Sequence, residues 1–178
     1  MRLAYWNLII LIVLLASLGM PKGAASQAGC VVYVHPAAAQ VALDGSVLVQ
    51  VKIADVVDLY AYDLEITFDP ALVAAEEVTI GNFLSADIVL PPTVDNDAGV
   101  IHFIVSQSNP STPKSGGGVL LNIRLGGLGV VGVSPIEITK AELSDIDGGA
   151  IVPQLVDGEV SVVEDALFNK VYLPLVLR

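Results

Sequence analysis

Apolar and polar residues alternate through most of the chain beyond its first thirty positions. The alternation is cleanest over 62–68. There Tyr62, Leu64, Ile66 and Phe68 are apolar, Asp63, Glu65 and Thr67 between them are polar, and Asp69-Pro70 cuts the pattern off. A period of two marks a strand buried on one face only. The same reading applies to 30–34, 46–54, 99–108, 119–125, 135–143 and 154–163. In 46–54, Val47, Val49, Val51 and Ile53 oppose Leu48, Gln50 and Lys52; in 99–108, Ile101, Phe103 and Val105 oppose His102, Ile104 and Ser106. Turn-forming stretches separate these runs: LDGS, FDP, VDNDAG, NPSTPKSGGG and DIDGG. The stretch 109–118 is expected to be the longest exposed, mobile loop. Helix signals are scarce: Asp69 as a cap and Pro70 at a first helical position predict one turn.

Many short strands with turns between them predict an all-β, antiparallel β-sandwich rather than a βαβ sheet. About 130 residues in about nine strands fit jelly-roll topology, two sheets packed face to face. The strand pattern bounds a domain at 30–163. Residues 1–28 read as a secretory signal peptide: Arg2, an apolar run at 8–18, then small residues. An uncleaved N-terminal anchor is the other reading of that run. Residues 164–178 read as a polar linker and a short apolar tail, VYLPLVLR, too short to span a bilayer. The tail suits either an extra edge strand or a sorting or attachment segment. The expected location is therefore secreted or at the cell surface.

Composition narrows the partners. The net charge is −11, and loss of the leader removes Arg2 and Lys22 but no acid, making it two units more negative. Such a chain is repelled by nucleic acid and by anionic lipid, so membrane contact is expected only through an anchor. Cys30 is the single cysteine, which excludes an internal disulfide. It stands in QAGC and has two readings: a buried cysteine opening the first strand, or a lipid attachment point. Catalysis is poorly supplied. His35 and His102 have no Ser or Asp beside them in a nucleophile motif, and Asp63 with Glu65 is more simply a solvated face than a glycosidase pair. DNDAG and DIDGG hint at calcium, yet neither continues as an EF-hand loop; both read as Asp/Gly turns. No cofactor is expected in the chain itself.

The residues over 43–78 (LDGSVLVQVKIADVVDLYAYDLEITFDPALVAAEEV) resemble the opening half of a cohesin domain. GVIHFIVSQS, the Gly-rich stretch, GVLLNIRL and LSDIDGGAIVPQLVDGEVSV are similar to its second half, so the resemblance spans about residues 31–163. It implies a non-catalytic jelly roll, related in fold to carbohydrate-binding modules, that binds dockerins. These are small calcium-dependent helical modules, and the pairing assembles polysaccharide-degrading enzymes on a scaffold or cell surface. Any calcium would then belong to the partner. The resemblance places Asp63 on the partner-binding face, with the outward residues Ile104 and Gln107 of the sixth-strand position. Glu65 and Thr67 share the strand face of Asp63. Many family members have Asn two residues before the acid, where this chain has Ala61, a departure that removes one expected hydrogen bond. Direct binding of polysaccharide is the alternative function. Against it, the sole Trp, Trp6, lies in the leader, and Tyr60 alone makes no stacking platform. A purely structural surface protein is a third reading.

Overall fold

The computed structural model describes residues 29–85 and 87–164. The leader (1–28) and the C-terminal stretch from 165 onward, with the expectations attached to them, lie outside the described residues. Thirteen strands form among the described residues: β1 (Val31–His35), β2 (Ala38–Ala42), β3 (Ser46–Leu59), β4 (Ala61–Phe68), β5 (Val73–Ile80), β6 (Ile88–Val89), β7 (Thr93–Asp95), β8 (Val100–Ser106), β9 (Lys114–Gly127), β10 (Gly132–Ser144), β11 (Ala150–Ile151), β12 (Gln154–Val156) and β13 (Gly158–Val163). The expected all-β sandwich is what they build. The expected count of about nine is corrected to thirteen. The surplus is β6, β7, β11 and β12, each two or three residues long. A period of two cannot show itself in so few positions.

The smaller sheet runs β12-β1-β3-β9-β5. The larger runs β2-β13-β10-β4-β8-β6, with β11 on β10 and β7 on β8. Alternation decides what each sheet turns inward. Val49, Val51 and Ile53 of β3 and Ile123 and Leu125 of β9 are buried, as are Leu64 and Ile66 of β4 and Ile101, Phe103 and Val105 of β8. Each such side chain contributes about 1.5–3 kcal/mol when fully buried. Tyr62 joins the layers: its hydroxyl, on the larger sheet, donates to Leu120 O of β9 at 2.7 Å. Burial pushes its phenol well up.

Two pairings are parallel, β1 with β12 and β2 with β13, against an expectation of antiparallel strands. The chain leaves the smaller sheet after β1, at Pro36, which has no N–H to extend a ladder. The closing stretch 154–163, expected as one strand, makes the same change of sheet at Asp157. Its carboxylate oxygen accepts from Ile138 N at 2.8 Å. That bond meets a bulge in β10, where Thr139 has no opposite residue on β4.

Two further expectations change. Lys114 to Gly118 is strand rather than loop, paired with the bulged end of β3. There Asp55 and Asp58 take left-handed φ of 53° and 57°. The glycines permit the close approach: a Cβ on Gly117 would stand 2.8 Å from Ile53 O, and one on Gly118 would stand 2.7 Å from the Phe83 ring. Asp69 does cap one turn. Its side chain accepts from Ala71 N at 2.9 Å, and its carbonyl accepts from Leu72 N and Val73 N.

Candidate partner-binding face

Strand β4 lies between β10 and β8, so its polar face is the middle of the larger sheet's outer surface. Register sets the neighbours in four rows: Ser144, Ala61, Ser106; Glu142, Asp63, Ile104; Lys140, Glu65, His102; and Glu137, Thr67, Val100. Asp63, Glu65, Thr67 and Ile104 thus share one surface, as the sequence pattern expects. Backbone hydrogen bonds on both sides hold them in place.

Asp63 is the hub. Lys140 Nζ donates to Oδ2 at 2.8 Å, and His102 Nε2 lies 2.6 Å from Oδ1. Each reaches diagonally from the neighbouring row. Burial pushes the Asp63 carboxyl up, but the bonds from Lys140 and His102, with the charge of Lys140 and that of the ring when it is protonated, outweigh it and hold the group below the usual carboxylate range. The bond to Asp63 in turn raises Lys140. Glu65 takes a separate partner, the Thr139 hydroxyl, at 2.8 Å. Thr139 and Lys140 are adjacent in sequence yet both reach the β4 outer face. The bulge explains this, because one extra residue breaks the strict alternation.

Beyond Ile104 the face turns apolar. A groove of about 600 Å³ is lined there by Ala61, Ile104, Ala150, Val152, Pro153 and Leu155, with Asp63, Glu142 and two serines at its margin. Val152 and Leu155 come from the stretch that crosses between the sheets. Ile88, opposite Ser106, and Leu90, whose N–H donates to Ile104 O, extend the apolar area to the sheet edge. Both are about half exposed. A charged half centred on Asp63 therefore adjoins an aliphatic half centred on Ile104.

Gln107 does not stand on this face, and the expectation is corrected. It is 2% exposed, and its amide donates to Thr112 O at 2.7 Å. The reason is parity: Ile104 and Gln107 are three residues apart, and an odd separation puts two residues on opposite faces of a strand. Its Oε1 is a buried polar atom with no partner among the described residues. Cys30 is also buried, at 2% exposure, and burial raises its thiol pKa. This is the buried cysteine that one of its two readings expects.

The two Asp-Gly motifs act as turns. Asp95 Oδ1 accepts from Asp97 N and Ala98 N, and Asp145 Oδ1 accepts from Asp147 N and Gly149 N. Sequence reasoning missed Lys140, Thr139, Glu142, Val152 and Leu155 as parts of the face. The alternation of 99–108 does put His102 outward, but only the strand register shows it beside Asp63.

The profile of the family described as Cohesin domain matches residues 33–162. No curated protein matches the chain. Solved structures with the same fold include a non-cellulosomal cohesin from the archaeon Archaeoglobus fulgidus, 18% identical, covering 78% of this chain and 94% of that one, with a TM-score of 0.64. A second is the OlpA cohesin–dockerin complex of Clostridium thermocellum, described as type I: 18% identity, 75% and 99% coverage, TM-score 0.66. A third is the OlpC cohesin–dockerin complex of the same organism: 14% identity, 82% and 99% coverage, TM-score 0.69.

Proposed function

The chain belongs to the cohesin domain family, and from that premise we propose that it is an exported, non-catalytic docking module that binds a dockerin-bearing protein through the outer face of its larger sheet. The observation that carries the reading is the pairing of a fixed charged group with an adjacent apolar groove. Asp63 is clamped by Lys140 and His102, and Ile104 opens the groove beside it. A rigid sheet presents these groups without the entropy cost of ordering a loop. An apolar patch bordered by polar, hydrogen-bonding groups is a common anatomy of a protein interface. Solved relatives described as cohesin–dockerin complexes support a dockerin as the partner. The four rows carry no Phe, Tyr or Trp, the side chains on which a stacking surface for sugars would be built.

Assembly of polysaccharide-degrading enzymes outside the cell is the setting we infer, with calcium held by the partner. Isothermal titration with dockerin modules encoded in the same genome tests the reading. At least one should bind in calcium and lose binding in chelator. Failure of all of them to bind the folded domain would overturn it.

A further inference from the structure

We propose that His102 is a specificity-determining residue of the docking face. In this assignment, its Nδ1 accepts a hydrogen bond from a donor on the partner, a hydroxyl or an ammonium group, and protonation of the ring withdraws that acceptor. The inference rests on the docking function proposed above and adds a chemical demand on the partner.

His102 Nε2 lies 2.6 Å from Asp63 Oδ1. Asp63 is held as a carboxylate by Lys140 on its other oxygen, and an ionised carboxylate can only accept. The proton between them therefore sits on Nε2. A neutral imidazole carries one N–H, so Nδ1 is left with a free lone pair. Nδ1 has no hydrogen-bond partner among the described residues. It is also not a buried unpaired atom, Gln107 Oε1 being the one such side-chain atom among them. With the side chain 38% exposed, Nδ1 is open to solvent.

The surroundings select what would approach it. On β4, Asp63 is bonded to the ring and Glu65 stands directly opposite. On β7, uncharged Thr93 pairs with His102, and Asp95 lies further along, opposite Val100. On β10, Lys140 and Glu142 flank Asp63 on its far side. A bare acceptor among these carboxylates suits a donor, above all a cationic one. On protonation Nδ1 becomes a donor and the ring gains positive charge. Both changes act against a donor partner, and binding should weaken roughly tenfold once the ring is protonated, for the loss of one such bond.

Two measurements test the assignment. In the free protein at pH 7.5, nitrogen NMR of the imidazole should find the proton on Nε2 and none on Nδ1; the opposite tautomer would overturn the proposal without reference to any partner. The second compares affinity for a calcium-loaded dockerin module at pH 7.5 and 5.5, in wild type and His102→Gln. The glutamine amide can still donate to Asp63 while its oxygen remains an acceptor that does not titrate. Wild type should lose roughly tenfold and the variant less than about twofold. If wild-type binding is flat with pH, or the variant keeps the full loss, the assignment fails while docking stands. Absence of wild-type binding at pH 7.5 would remove the docking reading and this inference with it.

Discussion

At the scale of the residue, the account turns on Asp63. Its pKa is lowered in the folded chain, so folding gains from its ionised form. The sign follows from linkage: the contribution is complete above the ordinary carboxylate range and is lost as pH falls through the lowered folded value. Thermal melts of wild type and Asp63→Asn should therefore differ most at neutral pH and converge as pH falls below the usual carboxylate range. A gap that widens with acid would contradict the clamp. What the sequence shows of this residue is partial. The alternation over 62–68 makes its outward orientation legible, because an uninterrupted eight-residue strand obeys a period of two. Its partners are not legible. His102 and Lys140 lie 39 and 77 residues away, and both reach Asp63 diagonally. Gln107 shows the converse: the family resemblance puts it outward, but parity and the carbonyl of Thr112 place it inside.

Among the elements, bulges and glycines do most to position the face, and they are what periodicity hides. The pairing of β10 with β13 ends at Ile136, and just beyond it, beside the bulge at Thr139, Asp157 supplies the acceptor for Ile138 N. Asp157→Ala should cost about 1 kcal/mol, because water can partly replace that acceptor. It should also loosen Lys140 from Asp63, read as a change in the Lys140 ammonium signal by NMR. An unchanged signal would detach the bulge from the site. The glycine run makes the second element-scale case. Glycine-rich 114–118 resembles loop by composition, yet close approach to β3 requires glycine there. Gly117→Ala should cost about 1–3 kcal/mol, as overpacking does, measured as a lowered urea midpoint. The two- and three-residue strands carry no readable period. They nevertheless matter here, since the stretch through β11 and β12 forms one wall of the groove.

Across the whole molecule, the sandwich separates folding from docking by face. Inward residues hold the layers together. Tyr62→Phe, which removes the hydroxyl bridging the sheets, should lower stability by about 1 kcal/mol without touching the outer surface. Outward residues are free to serve a partner, so Ile104→Thr, which keeps a β-branched side chain and adds no charge opposite Asp63, should move the urea midpoint little. The family resemblance and the fold were legible because the ordered set of strands survives in pattern. The proposed docking face rests on the charged and aliphatic halves that register brings together. Chemical-shift mapping of the labelled domain with an unlabelled calcium-loaded dockerin tests that claim most directly. The account predicts perturbations clustered at 61–67, 102–106 and 139–144 and along the groove at 150–155. Perturbations confined to the outer face of the smaller sheet, on β1, β3, β9 and β5, would contradict it.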